Sequence, residues 1–61
     1  MPTVIVKMFE GRSLDQKRAL VKKVTQAVSE TINAKEEAIV VMIEELKKED
    51  YASGGILAAD K

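Results

Sequence analysis

The chain has no cysteine and no histidine among its 61 residues. Disulfides are therefore excluded, and so are the thiolate and imidazole ligands of the usual zinc sites. Cysteine and histidine nucleophiles or bases are excluded on the same ground. Aromatics are scarce: one Tyr and one Phe cannot form a platform for stacked nucleic-acid bases. Neither sign of charge is in excess, since ten basic and ten acidic residues balance to zero. That removes the phosphate neutralisation that drives nucleic-acid binding. No apolar run approaches the ~20 residues of a membrane span, and no charged region followed by an apolar one marks a signal peptide. The expectation is a soluble, cytoplasmic protein with no nucleic-acid or membrane partner. No phosphate-cradling glycine loop or metal motif is present, and no cofactor is implied. Without a repeat, linker or low-complexity segment, residues 1–61 read as one domain. A domain this small sits near the limit at which a single core folds unaided. With disulfides and metals removed, oligomerisation is the remaining source of stability.

What is present starts with the only proline, Pro2, directly after Met1. The opening run from Met1 to Phe9 predicts a β-strand, rich in β-branched residues, and a strand start is a normal place for proline. Once Met1 is removed, Pro2 carries a free secondary amine, which an internal proline lacks. Val4, Val6 and Met8 alternate with Thr3, Ile5, Lys7 and Phe9, so apolar residues point to both faces. A strand with one wet face has one mostly polar set; this one needs cover on two sides.

Glu10-Gly11-Arg12 breaks the strand pattern. Ser13 and Gln16 then form a capping-box signature for a helix. From Leu14 the apolar positions Leu20, Val21, Val24, Ala27, Val28 and Ile32 recur at helical spacing. Lys17, Arg18, Lys22, Lys23, Gln26 and Glu30 form the solvated side, which predicts an amphipathic helix of about five turns. Asn33 suits the left-handed exit. Ala38 to Glu45 predicts a second strand, again apolar on both faces. Two strands joined by a long helix form a parallel β-α-β unit with a right-handed crossover. One helix covers one face of two strands, so the other face must meet another subunit. After a charged exit, Leu46 to Asp50, the Gly54-Gly55 pair signals a turn or small hairpin. Ala58 to Lys61 reads as a loose tail.

Pro2 after Met1, the Glu10-Gly11-Arg12-Ser13 junction, Gln16-Lys17 in the first helical turn and the late Tyr51 with Gly54-Gly55 resemble the 4-oxalocrotonate tautomerase family. The similarity spans almost the whole chain. It implies an α/β (α+β) fold: a short β-α-β protomer with a C-terminal hairpin. Two protomers would form a four-stranded sheet, assembled as a hexamer, a trimer of dimers. It further implies a cofactor-independent isomerase acting on enols of α-keto acids, such as 2-hydroxymuconate. Pro2 would be the general base and Arg12 the carboxylate anchor. Phe9 would offer its backbone N–H to a carbonyl oxygen, while Val40 and Tyr51 would line the pocket.

The chemistry suits these roles. An α-amine titrates near pH 8 and a secondary amine is more basic; desolvation by Val40, Tyr51 and neighbouring subunits would lower its pKa. A base near neutrality can take a proton and return it. The planar fork of Arg12 matches a carboxylate. Val40 departs from the family pattern, because the best-known members carry a second arginine there. The departure counts against efficient use of a dicarboxylate and favours smaller or aromatic enols. Lys7 reads as a surface or interface charge, and the Tyr51 hydroxyl is an addition where the family usually has Phe. Two other activities fit the same residues. One is a dehalogenase or hydratase that needs Glu10, Glu49 or Asp50 to activate water. The other is a non-catalytic acid-binding oligomer, favoured if Met1 is retained.

Overall fold

The computed structural model describes all 61 residues, Met1–Lys61. Strand β1 (Thr3–Phe9) leads through a four-residue loop into helix α1 (Leu14–Ile32), and strand β2 (Val40–Leu46) follows. Two two-residue strands, β3 (Ala52–Ser53) and β4 (Ile56–Leu57), close the chain as a hairpin. Strands β1 and β2 pair in parallel, with Thr3 opposite Val40 and Phe9 opposite Leu46. The ladder is closed at both ends by further bonds. Val40 N–H donates to the Pro2 carbonyl at 3.0 Å, and Glu10 N–H donates to the Leu46 carbonyl at 3.0 Å.

Local chemistry explains where the helix starts and stops. The Ser13 hydroxyl accepts from Gln16 N–H at 3.1 Å, and the Gln16 side chain accepts from Ser13 N–H at 2.9 Å. This reciprocal pair satisfies two of the N–H groups left open at a helix start. Asp15 in the first turn adds a negative charge where the helix dipole favours one. At the far end Asn33 adopts φ 58°, the left-handed conformation that its short polar side chain tolerates. The predicted helix thus forms with the boundaries that its caps indicate.

Several boundaries differ from the sequence reading: β1 begins at Thr3 rather than Met1, and β2 runs on to Leu46 rather than ending at Glu45. Strand β2 begins at Val40 rather than Ala38, because Glu36–Ala38 winds into a 3-10 turn that Ala38 N–H and Ile39 N–H close on the Lys35 and Glu36 carbonyls. The segment Ala58–Asp60 is also a 3-10 turn rather than a loose tail. Ala58 N–H donates to the Tyr51 carbonyl at 2.8 Å, which ties the end of the chain to the start of the hairpin. The hairpin itself turns on Gly54 and Gly55, with φ 61° and 83°. Those are the positive values that the two central positions of a type I′ turn require.

Helix α1 covers the face carrying Val4, Val6, Met8, Val41 and Ile43, all half-buried. The opposite face stays bare: Ile5 is 51% exposed and Met42 46%, beside Val40 and Phe9. Ile39 is the single buried residue of the chain. The expected shortage of cover is therefore real. A protomer whose sheet has two strands, two free edges and one apolar face in water lacks a core of its own.

Candidate active site

The residues singled out from the sequence fall at opposite ends of the sheet. Pro2 and Val40 lie together at its start, linked by the Val40 N–H bond to the Pro2 carbonyl. Pro2 is half-buried, whereas Met1 is exposed. Phe9, Arg12 and Tyr51 gather at the other end. The Phe9 and Tyr51 rings meet edge to face, centroids 5.3 Å apart at 83°, a favoured arrangement of their quadrupoles. Seven residue-to-residue steps of extended chain separate Pro2 from Phe9, about 23 Å at the usual strand rise. No small acid spans that distance. A site that uses both ends must take them from different copies of the chain.

Two clefts open at the Arg12 end, on either side of Met8. One, of about 430 Å³, is lined by Lys7, Met8, Phe9, Leu46 and Tyr51. It is mainly apolar, with the Lys7 ammonium and the Tyr51 hydroxyl as its polar groups. The other, of about 160 Å³, is lined by Met8, Arg12, Gln16, Lys17 and Leu20. The Arg12 guanidinium is exposed and takes part in no hydrogen bond or ion pair. Its planar fork is open to an external anion. Phe9 is oriented by the strand itself. Backbone groups alternate in direction along a strand. Since the Pro2 carbonyl and Glu10 N–H both point at β2, the intervening Phe9 N–H faces the free outer edge of β1.

The helix stripe read as solvated has one exception, Lys17. It is half-buried, and its Nζ donates to Glu45 Oε1 at 2.7 Å. The signal lay in the spacing: Lys17 precedes Leu20 and Val21 by three and four residues, which puts it on the sheet-facing stripe. Glu45 carried no comparable signal, because only the register of β2 brings it beneath the first turn of α1. Lys7 and Glu44 face each other across the strands, both exposed on the bare sheet face.

A two-stranded sheet with one bare apolar face, a proline at its start and an unpaired arginine just beyond its other end defines a class: small β-α-β proteins whose sheet needs a further copy to cover it. Comparison with known proteins narrows the class. Residues 2–61 match the family model of the tautomerase enzymes. A probable tautomerase of Bacillus cereus is 61% identical over 61 residues, covering all of both chains. The 2-hydroxymuconate tautomerase of Bacillus subtilis is 58% identical over 60 residues, 98% of this chain and 97% of the relative. Among solved structures, a homologue of 4-oxalocrotonate tautomerase superposes with TM-score 0.94 at 57% identity, covering 98% of each chain. A heterohexamer 4-oxalocrotonate tautomerase from Chloroflexus aurantiacus superposes with TM-score 0.89 at 27% identity, over 98% of this chain and 97% of that one. The chain belongs to the tautomerase family, and it is an isomerase of the 4-oxalocrotonate tautomerase type.

Proposed function

We propose that this protein interconverts enol and keto forms of α-keto acids of the 2-hydroxymuconate kind, without a cofactor, in a site shared between copies of the chain. The observation that carries this reading is the full-length, 58% identical match to a 2-hydroxymuconate tautomerase. In this reading removal of Met1 frees the Pro2 amine. The amine takes the proton of the enol hydroxyl and returns it to a carbon of the conjugated chain, so the electron pair of the O–H bond becomes the carbonyl. Arg12 of another copy holds the carboxylate and draws charge towards it. The outward Phe9 N–H donates to the developing oxygen, and Val40 and Tyr51 keep water from the amine. The assembly is a homo-oligomer, with a hexamer the form supported by the heterohexameric relative.

The test is ultraviolet monitoring of enol decay with protein whose intact mass shows that Met1 has gone. Pro2→Ala is expected to lower kcat by about 100-fold or more, the lower range for a positioned general base. Arg12→Ala is expected to lower kcat/KM by about 10- to 100-fold, as for loss of a charged hydrogen bond. Retention of full activity by the Pro2 variant, or by protein still carrying Met1, would sink the proposal.

A further inference from the structure

Arg12 sits on a short loop whose two flanks are fastened to the same short stretch of chain. On the strand side, Glu10 N–H donates to the Leu46 carbonyl at 3.0 Å. On the helix side, Lys17 Nζ donates to Glu45 Oε1 at 2.7 Å. Glu45 and Leu46 are the last two residues of β2. The loop between them contains Gly11 at φ 124°, a conformation that other residues rarely adopt. The Arg12 guanidinium itself has no partner, so its position depends on these flanking ties. Lys17 also lines the small cleft that Arg12 lines.

From this we infer that the Lys17–Glu45 pair is a positioning device for Arg12 and sets affinity for the substrate carboxylate through that arginine. The inference rests on the reading of Arg12 given under Proposed function. The pair differs from ordinary surface ion pairs, which contribute little. Its side chains are 25% and 37% exposed, whereas those of the local Arg18–Asp15 pair are 67% and 90% exposed. It is also the one ion pair that joins the helix to the sheet. It acts in two ways. It holds the first turn of α1, and hence the loop, over the end of β2. It also cancels two charges that would otherwise compete at the cleft. Without Glu45 a second free cation would lie beside Arg12 and attract the same anion. Without Lys17 the Glu45 carboxylate would be free to capture the guanidinium.

The test compares Lys17→Met, Glu45→Gln and the conservative Lys17→Arg with the unaltered protein. Substrates are an enol of an α-keto acid and a carboxylate-free aryl enol. Lys17→Met is expected to raise KM for the acid about tenfold, the scale of one weakened hydrogen bond to a charged group, with kcat within about twofold. The neutral enol should be unaffected, and Lys17→Arg should restore the acid. Glu45→Gln should also change KM for the acid alone, by a smaller factor.

A second readout needs no turnover: the Arg12 Nε–H signal in ¹⁵N relaxation should lose rigidity in Lys17→Met and regain it in Lys17→Arg. Equal effects on acid and neutral enols would point to general destabilisation and overturn the inference. So would an unchanged KM for the acid in both single variants. If the unaltered protein turns over no enol acid, the proposed function fails on its own account. The relaxation comparison then decides the clamp, and unchanged Arg12 rigidity in Lys17→Met rejects it.

Discussion

In the proposed site, Val40 is the side chain that would select among substrates. Its backbone N–H is bonded to the Pro2 carbonyl, so whatever side chain stands at position 40 lies at the amine end of the sheet. Valine supplies only apolar cover there, and it is partly exposed, so a longer side chain has room. Val40→Arg is expected to raise kcat/KM for a dicarboxylate over a monocarboxylate by about tenfold, the worth of one charge-assisted bond; steady-state rates on the pair of substrates measure it. A ratio that stays constant would show that position 40 does not face the second carboxylate. Tyr51 is a different case. Its ring already packs against Phe9, and its hydroxyl has no partner within the protomer. Tyr51→Phe should therefore leave stability within about 0.5 kcal/mol, checked by denaturant midpoint at fixed protein concentration. Pro2, Arg12 and Tyr51 stand out in the sequence by chemical type and setting, whereas Phe9 and Val40 are singled out only by the family resemblance. Lys17 and Glu45 could not be read as a pair, since they are 28 residues apart and meet only through strand register.

At the scale of the element, α1 is the best specified part of the chain. Its start is closed by the reciprocal Ser13 and Gln16 bonds. Its end is fastened by Asn33 in the left-handed region and by the Ser29 hydroxyl, which donates to the Ala34 carbonyl at 2.7 Å. Replacing Ser13 by Ala removes a cap and is expected to cost about 1 kcal/mol, measurable as a lower midpoint in chemical denaturation at constant protein concentration. Because Arg12 adjoins this cap, the same change should also raise KM for an acid substrate. The strands are less completely written in the chain. Their apolar residues point both ways, so alternation marks a strand but does not say which face the helix will cover. The 3-10 turn at Glu36–Ala38 escaped the sequence reading for a related reason. Ala38 and Ile39 suit a strand, and only the path from α1 back into β2 makes them turn.

For the whole molecule, the protomer is too open to be the functional unit. Its accessible surface is 4889 Å², against about 3,900 Å² expected for a compact monomer of this mass. Its radius of gyration is 14.6 Å, against about 10.5 Å for a compact chain of this length. Both excesses come from a flat β-α-β layer with an uncovered face and a projecting hairpin. Met42→Asp, which puts a charge in the middle of the bare face, is expected to dissociate the oligomer and abolish activity together. Sedimentation velocity with parallel assays checks it. A second prediction concerns the proposed sharing of the site between copies. Co-assembling equal amounts of Pro2→Ala and Arg12→Ala chains should restore activity, because about a quarter of sites in a randomly mixed symmetric assembly would pair an intact proline with an intact arginine. If both residues of a site came from one chain, mixing would recover nothing.

By itself the sequence determined the order of elements, the helix caps, the glycine turn and the residue types that chemistry would use. Each of these depends on neighbours a few positions away, and local sterics and hydrogen bonding act over that range. Tertiary structure alone decided that Lys17 reaches Glu45, that Tyr51 packs on Phe9, and that Ile5, Val40 and Met42 lie on the face the helix leaves bare. Those outcomes depend on register and on which face one helix can cover, and both are settled only when distant segments pack.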